Sequence, residues 1–557
     1  MLHYRVDLSE RLAHDYLLTL TLDAPAAGQV FSLPSWIPGS YLLREFAKQL
    51  SELRAEQGGA AVPVQQLDKS SWRVDCTAGE PLTLHYRVHA FDTSVRTAWL
   101  DARRGFFNGT SLFLRAHGHE DQPHGIAIND LPEGWKIATA LNELRAANYD
   151  ELVDSPVELG EFWSGEFQAG GVTHQIAVAS AWPSFDGARL LADVQRICET
   201  QIAFWGCAPF ERYVFLLNCV DEGGGGLEHR ASTALLAARR ELPRVGMGPA
   251  DIPDGYANLL TLFSHEYFHA WNVKRLRPAE LARYDYQHEN YTELLWFFEG
   301  FTSYFDELML LRAGLIEAPR YLKMLAKTVS GVQATPGRLR HSLAEASFEA
   351  WIKFYRPDEH TPNLTVSYYG KGALVACALD LSLRREGRSL DELMRSLWEG
   401  SEGGPIDEDD ILTIAGSCAN ELRAWVHGTA ELPLRELFER FGVAWREDAP
   451  NLAQRLGLKV SESALTGVQV KQVFSDSAAL ASGFSPGDEL LACQGWRLRR
   501  LDDALALLPA GEKRLHFLVS RDQRLVELDC ELPEVSAGMG TVQLQLADPA
   551  AAKAWLS

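Results

Sequence analysis

The sequence lacks the features of a membrane protein, a secreted protein or a nucleic-acid-binding protein. No apolar run reaches the ~18 residues that a membrane-spanning helix requires. The N-terminus has no basic leader followed by an apolar segment, so we expect no secretory signal. Basic residues are in deficit, 53 against 75 acidic ones, and the net charge of −22 would repel a polyanion. We therefore expect neither a membrane nor a nucleic acid as a partner.

Cysteine is also sparse. Eight cysteines are scattered along 557 residues, and none belongs to a C-x-x-C pair. This pattern excludes a disulfide scaffold and a thiolate metal site, and it suits a reducing compartment. We expect a cytoplasmic protein.

The length of the chain and the changes in its hydrophobic pattern predict a multidomain α+β protein. Residues 1–165 are predicted to form a β-rich N-terminal domain, because segments such as YLLTLTLDAP and PLTLHYRVHAF alternate apolar and polar side chains. Residues 166–445 have mainly helical spacing and carry the motifs discussed below. Residues 446–535 are a third unit of short strands, and residues 536–557 are expected to be a C-terminal tail.

The strongest chemical signal is the H-E-x-x-H motif at His265, Glu266 and His269. Residues four apart on a helix share one face, so the two imidazoles can aim at one metal ion. Glu266 lies beside that face, where it can take a proton from a water molecule but is poorly placed to be a ligand. The surrounding stretch LLTLFSHEYFHAWNV is apolar, and ionisable groups without a partner are costly to bury there. The alternative is a helix that carries two histidines and no metal.

A catalytic zinc ion requires a third protein ligand. The helical stretch ENYTELLWFFEGFTSYFDEL offers Glu289, Glu293 and Glu299, and position alone does not choose between them. Glu299 is favoured because it lies in a strongly apolar segment beside Gly300, which would let two helices approach closely. Glu289 and Glu293 lie nearer the polar start and are more easily solvated.

Three segments together resemble the glycyl aminopeptidase family of zinc metallopeptidases, which are gluzincins: SHEYFHAWNVKRLRP, ENYTELLWFFEGFTSYFDEL and PSWIPGSYLLREF. The resemblance spans nearly the whole chain. It implies a β-rich N-terminal domain, a thermolysin-like, mainly helical catalytic domain and a C-terminal PDZ domain. It also implies one zinc ion per chain held by His265, His269 and Glu299, with Glu266 as general base, and peptide substrates with a small first residue such as glycine or alanine.

The third unit resembles PDZ domains. A short helix at residues 478–481 is followed by the motif residues Gly483, Gly487, Asp488, Leu490, Leu491 and Gly495. The segment RLGLKV is the best candidate for the carboxylate-binding loop. The resemblance implies a peptide or protein ligand for this unit.

Two shorter motifs resemble the gluzincin aminopeptidases of the alanyl and leukotriene-hydrolase type. GGLEH, which begins with Gly225 and Gly226, is similar to G-x-M-E-N, with leucine for methionine and His229 for asparagine. This similarity implies that Glu228 contacts the α-amine of the substrate, with Gly225, Gly226 and His229 as neighbouring substrate-binding residues. Glu228 could instead be a solvated carboxylate at a strand edge.

YGKG is similar to Y-E-K-G, with glycine replacing glutamate, and implies that Tyr369 rather than Tyr368 donates to the tetrahedral oxyanion. The alternative for Tyr369 is a core tyrosine that is hydrogen-bonded at its tip. The segment between His269 and Glu299 is longer than in those aminopeptidases.

The sequence therefore predicts a zinc-dependent aminopeptidase. Glu266 would pass a proton from water to the leaving amine, and Glu228 would select substrates with a free N-terminus. One alternative is a PDZ-containing zinc endopeptidase, and another is a non-catalytic PDZ adaptor, against which the intact Glu266 argues. Lys274 and Arg275 fit a helix C-terminus without a catalytic role, and His288 is expected at the surface.

Overall fold

The structure, a computed structural model, describes residues 2–248 and 250–556. The outer limits of the first and last predicted domains, residues 1 and 557, lie outside the described residues. The chain divides into two compact units, of which the first comprises Met1–Tyr291, Arg312–Leu315 and Trp398–Ile406, and the second comprises Thr292–Leu311, Ile316–Leu397 and Asp407–Ser557. The fold is multidomain α+β, with a β-rich N-terminal part followed by a mainly helical region, as predicted.

The first part of the first unit consists of short strands around one apolar core. The strands are β1 (Leu2–Asp7), β2 (Asp15–Leu22), β3 (Val30–Ser32), β4 (Leu50–Gln57), β5 (Ala60–Val62), β6 (Val64–Gln66), β7 (Ser71–Val74), β8 (Leu82–His89), β9 (Ala98–Leu100), β10 (Arg104–Phe107), β11 (Arg115–Ala116), β12 (His124–Asn129), β13 (Lys136–Ala138), β14 (Arg145–Ala146) and β15 (Val157–Gly160). The helices are α1 (Gly109–Leu112) and α2 (Tyr149–Val153). Leu18, Leu20 and Leu22 of β2 are buried, which confirms the predicted alternation.

These strands form three sheets. The orders are β14-β12-β1-β2-β8-β4-β5, β13-β15-β10-β9 and β11-β3-β7-β6. The long pairing of β2 with β8 is antiparallel and joins the two segments whose alternation was visible in the sequence. The loop between β3 and β4 contains PSWIPGSYLLREF.

The rest of the first unit is a mixed sheet with two long helices. Its elements are β16 (Trp163–Ala169), β17 (Val172–Ala179), β18 (Arg212–Val220), β19 (Gly225–Glu228), β20 (Ser232–Ala238), α3 (Gly187–Trp205) and α4 (Asp254–Phe268). The sheet order is β16-β17-β18-β20-β19, so β19 is an edge strand, antiparallel to β20. Helix α3 starts where the Asp186 side chain accepts from Arg189 N and ends at Gly206, whose φ is 80°.

The second unit is mainly helical. Its helices are α5 (Leu295–Phe298), α6 (Gly300–Arg312), α7 (Ala318–Gln333), α8 (Leu343–Phe348), α9 (Thr361–Leu364), α10 (Tyr368–Arg385), α11 (Leu390–Gly400), α12 (Glu408–Ala415), α13 (Ala419–His427), α14 (Leu434–Arg440), α15 (Leu452–Leu456), α16 (Ala478–Ala481), α17 (Asp503–Ala506) and α18 (Pro549–Leu556). Its strands are β21 (Val443–Glu447), β22 (Leu458–Ser463), β23 (Gly467–Val473), β24 (Glu489–Cys493), β25 (Trp496–Arg497), β26 (Arg514–Arg521), β27 (Arg524–Glu531) and β28 (Val542–Leu546).

The strands β22 to β27 form a sheet with a core of its own. The order is β22-β23-β24-β26-β27, with β25 paired to β24. Val468 and Val470 of β23 are buried in this core, and α16 coincides with the predicted short helix. Within the stretch predicted as a tail, β28 pairs antiparallel with β21, and α18 follows it. The domain limits at 165, 445 and 535 stay predictions.

Two observations concern the chain as a whole. Across residues 2–248 and 250–556, no helix combines the length and apolarity needed to cross a membrane. The eight cysteines are free thiols, and seven of them are buried.

Candidate active site

His265 and His269 converge at the end of α4. Their Nε2 atoms lie 3.1 Å apart, and the two rings are nearly perpendicular, at 85°. His269 is buried and His265 is half-buried. The four-residue spacing therefore brings two ring nitrogens to one point, as the motif predicts.

The backbone fixes which nitrogen of His269 faces that point. Nδ1 lies 2.8 Å from the carbonyl oxygen of Asn272, and because a carbonyl only accepts, Nδ1 carries the proton and donates. Nε2 is then the unprotonated nitrogen, which is the form of imidazole that binds a metal. The helix itself is held by Gln201, whose Nε2 donates to the carbonyl and hydroxyl oxygens of Ser264.

Glu299 belongs to the same potential metal-binding set. Among the described residues, His265, His269 and Glu299 each offer one ligand atom, and these atoms lie within 4.8 Å of one another. Two imidazoles and one carboxylate are a donor set that fits a zinc ion. Glu299 is 2% exposed, whereas Glu293 is exposed and Glu289 is half-buried.

Gly300, next to Glu299, allows close packing against α10. A Cβ atom at Gly300 would come within 2.5 Å of Gly372 Cα and 2.8 Å of the Tyr368 carbonyl oxygen. Only glycine permits this approach, so Gly300 allows close packing against α10, whereas the sequence led us to expect a close approach to the helix of the two histidines. Gly372, the second glycine of the YGKG motif, thus faces the segment that carries Glu299.

Tyr368 and Tyr369 begin α10. Tyr368 is buried and Tyr369 is half-buried. Both rings pack on Phe354, with centroids 4.7 and 5.2 Å away respectively. Tyr369 is therefore the more accessible of the two tyrosines, and its role at the oxyanion stays a prediction.

Glu266 lies against the backbone of β19. A Cβ atom at Gly226 would come within 2.1 Å of Oε1 and 2.3 Å of Cδ of Glu266, so the missing side chain makes room for the carboxylate. The strand is anchored by Arg96, whose Nη2 donates to the Gly226 carbonyl oxygen at 3.2 Å. Burial, and then the charge of Glu266, raises the pKa of Tyr213 well above its ordinary value. Tyr213 therefore stays a neutral phenol and donates to the Glu266 carbonyl oxygen at 3.4 Å.

Glu228 is covered by the loop that follows β3. It is 4% exposed, which excludes the solvated strand-edge alternative. A Cβ atom at Gly39 would lie 2.3 Å from Oε1 of Glu228, and Gly39 has a φ of 90°, a conformation that L side chains rarely adopt. The loop is tied down by Trp36, whose Nε1 donates to the Asp285 carbonyl oxygen at 2.7 Å. The β-rich N-terminal part thus forms one wall around Glu228.

His229 is oriented by Asp154 at the end of α2. Its Nδ1 donates to Asp154 Oδ1 at 3.1 Å, and its Nε2 is buried without a hydrogen-bond partner among the described residues. Lys274 Nζ donates to the same oxygen at 2.7 Å. Burial favours the neutral acid, but Lys274 and His229 outweigh it and hold the pKa of Asp154 well below its usual range.

Sequence reasoning missed three of these neighbours. Arg96 and Asp154 lie far along the chain from the motifs they contact, and no local pattern marks them, whereas Gly39 lies in PSWIPGSYLLREF, whose contact with Glu228 the sequence did not indicate. Lys274 was expected only to complement a helix C-terminus, yet it makes a buried ion pair. His288 is at the surface, as predicted, where it pairs with Asp285.

The chain has clear relatives. Residues 3–161 match the peptidase M61 N-terminal domain, and residues 258–375 match the M61 glycyl aminopeptidase family. The crystal structure of an aminopeptidase N family protein from Idiomarina loihiensis is 35% identical over 100% of both chains, with a TM-score of 0.94. The chain belongs to the peptidase M61 family. The family resemblance found in the sequence is confirmed, and this M61 protein is a metallo-aminopeptidase, a hydrolase of peptide bonds.

Other structures resemble this M61 peptidase more distantly. The M1 zinc metallopeptidase of Deinococcus radiodurans is 18% identical, with a TM-score of 0.47, over 78% of this chain and 94% of that chain. A mutant of that enzyme bound to a Tyr-Ser-Ala substrate is 17% identical, with the same TM-score and coverage. No curated protein matches the sequence.

Proposed function

We propose that the protein is a zinc-dependent aminopeptidase that removes a small first residue, glycine or alanine, from peptides with a free N-terminus. The observation that carries the proposal is the convergence of the two histidine Nε2 atoms, 3.1 Å apart, on a helix whose glutamate faces the GGLE strand. His265, His269 and Glu299 are assigned as the ligands of one zinc ion per chain. When bound, zinc supplies Lewis-acid polarisation of the scissile carbonyl and activation of a water molecule.

Glu266 is the general base. It accepts a proton from the attacking water and returns it to the leaving amine, which splits the proton transfer into two short steps. Its burial against Gly226 supports this role, because a confined carboxylate is held in one position. Tyr369, half-buried at the start of α10, is assigned as the hydrogen-bond donor to the developing oxyanion.

Glu228 is the anchor for the α-ammonium group of the substrate. A buried carboxylate binds a cation strongly and rejects an acylated, uncharged N-terminus. Strand β19 is an edge strand, so an extended peptide can lie along Gly225 and Gly226. His229 Nε2, oriented by Asp154, is a hydrogen-bond acceptor for a substrate N–H group.

The preference for glycine and alanine is the finer part of the proposal. The family description, glycyl aminopeptidase, supports the same preference.

A panel of p-nitroanilides tests this proposal: Gly, Ala, Leu and N-acetyl-Gly. We expect cleavage of Gly and Ala, weak cleavage of Leu, and none of the acetylated compound. Metal analysis of the purified protein should find one zinc per chain. Equal cleavage of free and acetylated substrates would favour the endopeptidase alternative, and full activity without metal would end the zinc assignment.

We further propose that residues 446–535 are a PDZ domain that binds a peptide or protein. Its support is the order of elements around the motif and the edge strand β22, which begins directly after Gly457 in RLGLKV. An extended peptide can add to such an edge. Binding of a C-terminal peptide library, but not of the amidated versions, is the expected result.

The eight free cysteines support a reducing, cytoplasmic location.

A further inference from the structure

A cavity of about 760 Å³ opens in the first unit. It is lined by the loop at Ile37 and Pro38, by α2 and its neighbours, and by the segment from Lys274 to Arg277. Glu266, Glu228 and the two histidines of the motif are not among its lining residues. The proposed mechanism therefore leaves this cavity without a function.

The charge of the lining is opposite to that of the chain. Acidic residues outnumber basic ones by 75 to 53 overall. The cavity reverses this ratio, with six cationic side chains against four acidic ones. The cationic residues are Arg145, Arg212, Arg230, Lys274, Arg275 and Arg277.

Two of the acidic side chains in the lining bind groups other than the guanidinium groups of these arginines. Asp154 is committed to Lys274 at 2.7 Å, and Asp150 accepts from the Tyr286 hydroxyl at 2.7 Å. Among residues 2–248 and 250–556, no ion pair joins any of the five arginines of the cavity to a carboxylate. Six cationic side chains against four acidic ones therefore leave the lining with a net positive charge.

Two of the arginines are held in place by contacts with uncharged groups. Arg275 Nη1 donates to the carbonyl oxygens of Ala270 and Arg230, at 2.7 and 2.9 Å. Arg277 lies over the ring of Tyr284, 5.6 Å from its centroid, and its Nε is buried without a hydrogen-bond partner among the residues that the structure describes. Burial, and then the charge of Arg230, lowers the pKa of Arg275 to about 10, although the charge of Asp154 acts in the opposite direction.

We propose that this cavity binds a small organic carboxylate. A guanidinium fork matches the two oxygens of a carboxylate and pairs with them through parallel hydrogen bonds. Phe210 and Tyr284 add aromatic surface for the organic body of the ligand, which an inorganic anion would not use. The ligand is either a free dicarboxylate or the C-terminal carboxylate of a peptide, and both present the same group to the arginines.

Isothermal titration calorimetry on the full chain tests the proposal. The ligands are glutarate, N-acetyl-triglycine, N-acetyl-triglycine amide and inorganic phosphate. We expect one equivalent of glutarate or of the acetylated peptide to bind, and the amide not to bind. The tighter of the two binding ligands identifies the source of the carboxylate.

Variants locate the binding. Arg230→Gln and Arg277→Gln should each raise the dissociation constant at least tenfold. Arg5→Gln, which replaces an exposed arginine of β1, should leave it unchanged. If Arg277→Gln does not fold, Arg145→Gln at the exposed side of the cavity takes its place. The proposal is overturned if neither carboxylate binds, if the arginine variants bind as tightly as the wild type, or if phosphate binds as tightly as the carboxylates.

Discussion

Gly226 lies directly against the carboxylate of Glu266: a Cβ atom there would come within 2.1 Å of Oε1. Side chains two apart on a strand point to the same face, so Glu228 extends from the same face of β19 as that missing Cβ atom. One edge strand thus positions both the proposed general base and the proposed anchor for the substrate amine.

Gly226→Ala should therefore lower kcat and leave the free energy of unfolding nearly unchanged. The backbone of Gly226 is in a region open to alanine, so the new methyl group displaces the flexible end of Glu266. We expect kcat on Gly-p-nitroanilide to fall about 10²-fold, since general-base catalysis contributes about that much or more. Gly331→Ala, at an α7 position with nothing within 4 Å, is the control and should keep full activity. An unchanged kcat in Gly226→Ala would contradict the placement of Glu266.

Gly39→Ala should act on substrate binding. The methyl group would meet Glu228 Oε1 at 2.3 Å and push away the proposed amine anchor, which raises KM for substrates with a free amine. Gly59→Ala is the matched control, because its φ of 81° is close to the 90° of Gly39 while nothing lies within 4 Å. Both variants bear the same backbone strain. If KM rises equally in both, strain and not contact with Glu228 is the cause.

Asp154→Asn should destabilise the protein by leaving Lys274 buried without its partner. Removing one member of a buried ion pair costs about 3–5 kcal/mol. The double variant Asp154→Asn, Lys274→Met should recover much of that loss in urea unfolding, because the uncompensated charge is gone. Additive losses in the double variant would show that the two side chains do not interact.

His174 should make stability depend on pH. Burial lowers the pKa of His174 to about 4, and its ring packs against four aromatic side chains: Phe167, Phe210, Tyr213 and Tyr267. An unfolded histidine titrates near ~6.5, so between the two values the unfolded state binds more protons. The contribution is present above pH 6.5 and is lost as the pH falls towards 4, about 2 kcal/mol between pH 7 and 5. Urea unfolding of His174→Gln at both pH values should show a smaller loss than the wild type, and equal losses would contradict the prediction.

The parts of the site that depend on local spacing could be predicted from the sequence. His265 and His269 are four residues apart on one helix, whereas the helix that packs against Gly300, α10, was not the one expected. The contributions of Gly39, Arg96 and Asp154 could not be predicted, because tertiary packing brings them from distant segments. Arg96 and Asp154 have no periodicity or motif of their own, and the segment PSWIPGSYLLREF, which contains Gly39, does not indicate the residue that it contacts.

Strand pairing limited the prediction of the fold in the same way. The alternating β2 and β8 were visible, since each buries one face. Strand β28 lay in a stretch predicted as a tail, because its partner β21 is almost a hundred residues away. The helical stretch around Glu299 also begins later than expected, with α5 starting at Leu295.

Metal removal should abolish activity. A chelator such as 1,10-phenanthroline is expected to stop cleavage of Gly-p-nitroanilide, and added zinc should restore it. His269→Ala should lose the metal, because one of three proposed ligands is gone. His288→Ala, at an exposed surface histidine, is the control and should retain both metal and activity.

The most direct test of the account is the zinc content and kcat of Glu266→Gln, measured together. The glutamine keeps the shape of the side chain but cannot accept a proton. We predict one zinc per chain, as in the wild type, and a kcat on Gly-p-nitroanilide lowered about 10²–10⁴-fold. A variant that holds zinc and cleaves at the wild-type rate would contradict the assignment of Glu266 as general base.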